Sequence, residues 1–456
     1  KKNKTVLENL EKFLQGRTDD DKKIPSPLLL IDDECDYASI NTKKKEDSQD
    51  PEYDPSTINK CIRGIMHRFE RSSYVGYTAT PYGNIFIETE DKDGNPKNDE
   101  SVFDLFPDNF IINLGSNDLY SGPKLMFPTD SSDDFSFFRE VDYHEWDYFG
   151  SIIKAKNRIL RESGLDVKED KVERSNIYQG ILDAQYEDQS NILNKQLTIR
   201  EENGLTEAIR AFILSCAIRN LRGYNESFNT MLIHVNRENL MQAFLKRIID
   251  DIYAKLDTQI FNQELEKFEA LFYNDYKYHT DDYLASERIP EVLKEGIDPL
   301  GEDSFTFEKI KDEILDIFQR KQILTVVQNA KSKDTSLSYE EKDRGTYYIC
   351  IGGDILSRGF TIEGLSVSYF LRHAKTQDTL LQMGRWFGYR TGYLDLCRVY
   401  TTSGINDDFT FTTMAQAELF DTFSFMEENN LTPRDFGLKI ANSRGTLQVT
   451  GLGKRR

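Results

Sequence analysis

Four carboxylates crowd one short stretch of the chain, LLLIDDECDYASI (residues 28–40), where Asp32, Asp33, Glu34 and Asp36 directly follow an apolar run. Like charges a few ångströms apart repel by roughly 1 to 4 kcal/mol per pair at effective dielectrics of 80 down to 20. Either the knot is solvated at a strand end, or a cation sits there in the working state. The spacing D-E-x-D over residues 33–36 at the carboxyl end of an apolar strand suits the second reading, because parallel α/β proteins place their ligand crevice there. One acid in such a position can hold magnesium while its neighbour orients a water for attack on a phosphate.

Three further stretches carry residue types fit for chemistry. GYTATP sets Thr78 and Thr80 on either side of Ala79 after a strand, a weak signal alone because hydroxyls are common in turns. YICIGGDILSRGFTIEGL places Gly352, Gly353, Gly359 and Gly364 among Ser357, Arg358 and Thr361. Paired glycines there permit close backbone approach to a phosphate or a neighbouring domain, or simply form a turn. LLQMGRWFGYRTGY carries Arg385 and Arg390 on or just beyond a helix, separated by Trp386, Phe387 and Tyr389. Guanidinium groups suit bidentate phosphate contacts, and the aromatic residues read largely as core.

The elements that must position these residues are legible as alternating strands and helices. A short helix, TVLENLEKFLQG, precedes the strand SPLLLI; a helix with Ile58, Ile62, Ile65, Met66 and Phe69 at helical spacing follows, then the strand SYVGYTATP ending at Pro81. That order predicts a parallel α/β sheet. DNFIINLG is a strand candidate, and residues 139–203 read as helix or loop. LTEAIRAFILSCAIRNLRG is a helix apolar nearly all round, hence buried. TMLIHV, ILTVVQ, TYYICIGG, LSVSYFL and LCRVYT are strand candidates, with the helices ENLMQAFLKRIIDDIYAKL and TQDTLLQMGRWFG among them.

Length and composition bound the reading. The 456 residues allow two to four domains, and 38% hydrophobic with 30% charged residues is ordinary for a globular protein. Cys35, Cys61, Cys216, Cys350 and Cys397 are scattered and form no CxxC pair, a spacing that supports neither a zinc site nor a disulfide framework and suits a reducing cytoplasm. The apolar runs are too short for a membrane helix, and a net charge of −20 confines any nucleic-acid surface to a local patch.

The succession of DExD, TAT, a strand with IHVNR, a Gly/Ser/Arg turn and a Gln/Arg helix resembles that of superfamily two helicases, in which two RecA-like lobes close on ATP. More narrowly, IDDECDYAS, YVGYTATPYGN, MLIHVNR, IGGDILSRGFTIEGLSVSYFLR and LLQMGRWFGYRTGYLDLCRVY resemble the Z1-domain family, often labelled endonucleases, over about residues 28–450. The resemblance implies an α/β fold of two RecA-like parallel-sheet lobes, the first incomplete, with mostly helical insertions. On that plan residues 1–130 belong to the first lobe, 131–204 to a helical or loop insertion, 205–256 and 321–405 to the second lobe, 257–320 to an acidic helical insertion and 406–456 to an extension.

The same resemblance implies roles. Asp33 would hold Mg2+, Glu34 would polarise the attacking water, and Asp36 would link to Thr78 and Thr80, which couple nucleotide state to lobe movement. His234, Asn236, Arg237 and Arg358 would face nucleic acid, Gly359 and Thr361 the nucleotide cleft, and Arg385 or Arg390 would act as the arginine finger. The spacing QMGRWFGYR departs from Q-x-x-G-R-x-x-R, so the choice between the two arginines stays open. Expected partners are ATP, nucleic acid (DNA in preference to RNA), and MutL-like ATPase and nuclease components of bacterial phage-restricting operons.

G-x-x-x-x-G-K-[ST] does not occur in the sequence. This predicts the carboxyl-terminal part of a longer ATPase, poorly active alone. Two rival classes remain at this point: a metal-dependent endonuclease, for which no D-(x)n-(D/E)-x-K set stands out, and a non-catalytic scaffold that binds partners through its acidic insertions.

Overall fold

The computed structural model describes residues 2–17, 22–40, 57–87, 105–128, 135–142, 204–236, 239–328, 337–353, 361–433 and 448–450. The chain divides into two units, one drawn from residues 1–115, 374–382 and 414–456, the other from 116–373 and 383–413.

In the first unit, β1 (Leu28–Asp33) and β2 (Ser72–Tyr77) pair in parallel, with Leu28 opposite Ser72 and Asp33 opposite Tyr77. The helix Thr57–His67 lies between them in sequence and buries Cys61, Ile62 and Ile65, the face that spacings of one, three and four select. The helix Lys4–Gln15 begins at Asn3, whose side-chain oxygen accepts from the N–H groups of Thr5 and Val6 at 3.0 and 3.4 Å. It packs on Thr57–His67, where Gly64 admits Glu11; a Cβ at Gly64 would sit 2.3 Å from the Glu11 carboxylate. Residues 374–382 join this unit through a bridge between Thr376 and Gln448, and the Asp378 carboxylate accepts from the Thr450 hydroxyl at 2.8 Å.

The second unit contains β3 (Tyr120–Ser121), β4 (Phe138–Glu140), β5 (Asn229–His234), β6 (Ile323–Gln328), β7 (Tyr347–Gly352), β8 (Leu365–Phe370), β9 (Gly388–Tyr389) and β10 (Arg398–Thr401). Six of these form one sheet in the order β4-β10-β8-β5-β7-β6, with every pairing parallel. Every residue of β5, β7, β8 and β10 is buried, as expected for strands covered on both faces, while the edge strand β6 is partly exposed. The helix Gly204–Arg219 is buried along nearly its whole length. Trp386 and Phe370 form a core cluster with Phe127 and Phe409, their ring centroids 4.7 to 6.3 Å apart.

Buried ion pairs hold the helical segment 266–285 against the sheet. Asp395 is clamped by both terminal nitrogens of Arg222 at 2.8 Å and accepts from Thr280 at 2.9 Å. Asp275, in the π-helical turn Phe272–Lys277, receives Arg398 and Arg139. Burial alone would raise the Asp275 pKa, but the two guanidinium charges and their hydrogen bonds outweigh it and hold the carboxyl at about 2.

Three sequence expectations need correction. DNFIINLG forms no strand; Phe110, Ile112 and Leu114 are exposed, and among the described residues no strand pairs with this stretch. Residues 138–140, read as helix or loop, form the edge strand β4, whose geometry is supplied by β10. The helix expected over TQDTLLQMGRWFG is only Gln377–Met383, and residues 388–389 instead pair with Tyr120 and Ser121 as antiparallel β9. No helix among the described residues is long and apolar enough to cross a membrane.

Candidate functional site

At the carboxyl end of β1 the pleat separates the four acids. Asp32, opposite Gly76, points inward and is buried, whereas Asp33, opposite Tyr77, is exposed. The chain then turns sharply, with Glu34 and Ala38 both in the left-handed region at φ 54° and 63°. Glu34 donates its N–H to the Asp33 carboxylate at 3.0 Å and its side chain is exposed. The Cys35 N–H continues the ladder to Tyr77 O at 3.0 Å, which turns its side chain under β2. Gly76 makes that possible, since a Cβ there would lie 2.7 Å from Cys35 Sγ. Burial, then the charges of Asp32 and Asp36, push the Cys35 thiol up to about 12 and keep it neutral.

The two inward acids are fully engaged. Asp32 accepts from Ser39 Oγ at 2.6 Å and Tyr74 OH at 2.7 Å, and pairs with Lys2 Nζ at 2.9 Å. Asp36, wholly buried, accepts from Thr78 Oγ1 at 3.0 Å, Thr80 Oγ1 at 3.3 Å and Gln382 Nε2 at 3.2 Å. The same Gln382 amide donates to Thr80 Oγ1 at 2.8 Å, and Thr80 N–H returns to Thr78 Oγ1 at 3.0 Å. A carboxylate, two hydroxyls and an amide thus form one closed network in which donors and acceptors alternate. The knot of negative charge resolves into a bonded inner pair and an exposed outer pair, Asp33 and Glu34.

The structure therefore brings Asp33, Glu34, Asp36, Thr78 and Thr80 together at one strand end. Sequence reading assigned no role to Lys2, Ser39, Tyr74 or Gln382. Of these only Gln382 had a signal, as the first residue of QMGRW. Among the described residues no group of three His, Cys, Asp or Glu side chains is arranged to hold a metal ion. Asp33 and Glu34 are the exposed carboxylates that would hold a magnesium ion here, oxygen donors of the kind that ion takes rather than the nitrogen and sulfur donors of zinc.

The residues assigned to the second unit are dispersed. His234 ends β5 and is fully buried, not on an exposed face; its Nε2 accepts from Arg372 at 2.9 Å while Nδ1 has no partner among the described residues. Burial, then the Arg372 charge, lowers its pKa to about 3. Asn236 is half-buried, and its backbone oxygen accepts from Gln242 at 3.5 Å. Thr361 is exposed. Arg237, Arg358 and Gly359 lie outside the described residues. Arg390 is buried and curls over its own turn, donating to Tyr389 O at 2.8 Å and Arg385 O at 3.2 Å, with Gly388 leaving room for the guanidinium. Arg385 is half-buried.

Fold and site together define a mixed α/β protein with a six-stranded parallel sheet and, in its other unit, an acid–hydroxyl–amide network at the end of a β-α-β element. The Z1 domain model matches residues 204–447, more than half of the chain, and the chain belongs to the Z1 domain family. The matched span includes Gln382, Arg385 and Arg390 but not the acids of residues 32–36. Neither the comparison with curated proteins nor that with solved structures found a match.

Proposed function

We propose that the chain is part of a helicase-like, nucleic-acid-dependent ATPase in which the end of β1 forms the hydrolytic wall. The observation that carries this reading is the network of Asp36, Thr78, Thr80 and Gln382, since it ties the turn bearing Glu34 to segments some 40 and 350 residues away in sequence. Glu34 is exposed and free to accept a proton from an attacking water; Asp33 beside it is the carboxylate available to magnesium. When bound, that ion neutralises charge on the phosphate oxygens. Asp36 stays buried as the fixed acceptor. Its three donors can change partners when the loop after β2 or the helix Gln377–Met383 shifts, which is how nucleotide state would reach the rest of the chain. The arginine finger would be Arg385 or Arg390; in this structure Arg390 donates to main-chain oxygens of its own turn. A role in phage restriction, beside MutL-like and nuclease partners, rests on the family resemblance, as does DNA as the polymer.

Magnesium-dependent ATP hydrolysis by the protein at its full natural length, with and without DNA, tests the reading. DNA-stimulated turnover abolished by Glu34→Gln is the expected result. Cleavage of DNA with magnesium but no ATP would replace it with an endonuclease, and neither activity with stable capture of a partner would replace it with a scaffold.

A further inference from the structure

The helix Lys4–Gln15 delivers one residue to the acidic turn from outside it. Lys2 stands immediately before the Asn3 cap, and its ammonium lies among four oxygens: Asp32 Oδ1 at 2.9 Å, Glu34 O at 2.5 Å, Ser39 Oγ at 3.0 Å and Tyr37 O at 3.1 Å. Three of these are uncharged, so the group is not merely paired with an acid. It is coordinated, much as a small cation would be. The turn is shaped to present those oxygens. With φ positive at Glu34 and again at Ala38, the Glu34 and Tyr37 carbonyls both reach the same point, and Ser39 bonds Asp32 at 2.6 Å to close the ring.

Such a turn is costly by itself. Two non-glycine residues in the left-handed region are each disfavoured, and two carbonyls facing one point repel unless a donor lies between them. The Lys2 ammonium supplies three donors to that point, and it is only partly exposed, with 20% of its side chain reached by solvent. The helix behind it fixes its approach, because Asn3 caps the helix and Gly64 seats Glu11 against Thr57–His67.

We infer that Lys2 is a positioning residue for Glu34: its ammonium is the built-in cation of the acidic turn and holds the turn in the conformation that exposes the Glu34 carboxylate beside Asp33. It touches no reacting atom in this arrangement; it acts through the Glu34 carbonyl. The catalytic consequence rests on the ATPase reading, whereas the structural one does not.

The test compares wild type, Lys2→Ala and Lys2→Arg at full natural length. Amide exchange over residues 34–40 is followed by mass spectrometry, and kcat and KM for magnesium ATP are measured with and without added methylammonium. Misplacing a reacting group by about 1 Å lowers turnover on the order of 100-fold, so Lys2→Ala is expected to lose roughly 10- to 100-fold in kcat with KM little changed. The turn amides should exchange faster, and methylammonium should restore both. Lys2→Arg, too broad for the four-oxygen site, should behave like Lys2→Ala. Unchanged exchange over the turn in Lys2→Ala overturns the inference, as does a kcat loss that methylammonium does not repair. Should wild type turn over no ATP, the ATPase reading fails while the exchange comparison still decides whether Lys2 holds the turn.

Discussion

Gln382 donates its side-chain amide to the Thr80 hydroxyl at 2.8 Å, across 302 residues of sequence. Neither residue is special alone. Together with Asp36, which both of them contact, they fix the strand end from a segment remote in the chain, and a buried carboxylate with three donors is a rigid anchor. Removing one donor should therefore matter more than an average hydrogen bond. Gln382→Ala and Thr80→Val are each expected to destabilise the first unit by about 1 to 3 kcal/mol. The double variant should fall short of additivity by about 0.5 to 3 kcal/mol. Urea unfolding of the four proteins measures both; strict additivity would mean that the two side chains act independently.

A second expectation concerns packing beneath the same turn. Gly76→Ala places a methyl 2.7 Å from Cys35 Sγ and 3.0 Å from its Cβ, so the turn or β2 must move. Overpacking of this kind costs about 1 to 3 kcal/mol. Adding Cys35→Ala removes the sulfur and should recover part of the loss, which thermal denaturation of the single and double variants reads directly.

Much of this fold was legible because parallel strands buried on both faces appear as unbroken apolar runs. TMLIHV, TYYICIGG and LSVSYFL are of this kind and became β5, β7 and β8. The edge elements were not legible. Phe138–Glu140 and Gly388–Tyr389 are two or three residues long and owe their extended form to the partners they meet. Conversely, the alternation in DNFIINLG mimics a strand but has no pairing partner among the described residues. At the site, D-E-x-D and T-A-T announced themselves by residue type, whereas Lys2 could not, since nothing in KKN distinguishes an ammonium that is coordinated from one in solvent. Gly364 shows a third case. Its conformational freedom was visible, but it serves the approach of the Phe228 backbone within the second unit rather than a phosphate.

That position gives a sharp prediction. Gly364 has φ 63°, and a Cβ there would lie 1.8 Å from Phe228 O and 3.2 Å from the Arg219 guanidinium, which itself donates to Gly364 O at 3.1 Å. The backbone strain and the clash act in the same direction, and the nearest neighbour is the Phe228 main chain, which cannot swing away as a side-chain end could. Gly364→Ala should destabilise the second unit by more than about 2 kcal/mol, beyond the ~1 kcal/mol expected of left-handed strain alone. An unchanged melting temperature would show that β5 and the turn before β8 separate more easily than their packing implies.

Acid sensitivity of the second unit separates into two windows. His234, with its folded pKa near 3 against an ordinary 6.5, stays neutral in the fold while the unfolded chain takes a proton. Its contribution is therefore complete above pH 6.5 and is lost as pH falls toward 3, at about 1.4 kcal/mol per pH unit for one group. His279, buried between Arg139 and the ring of Phe135, is shifted in the same direction by burial first and by Arg398, Arg139 and Arg288 next, so it adds to this slope. His234→Gln keeps an acceptor for Arg372 but cannot titrate, and should remove about one of the protons linked to unfolding between pH 6.5 and 4. Asp275 acts lower. Its pKa of about 2 lies below the ordinary 3.8, so its stabilisation is present above pH 3.8 and disappears as pH falls toward 2. Asp275→Asn should abolish the steep loss in that lower window, at a cost near neutral pH of about 3 to 5 kcal/mol from leaving Arg139 and Arg398 without their partner. Stability measured by urea at intervals from pH 7 to 2 checks both signs, and a wild-type curve flat between 6.5 and 4 would mean that water or an anion reaches His234 in the folded state.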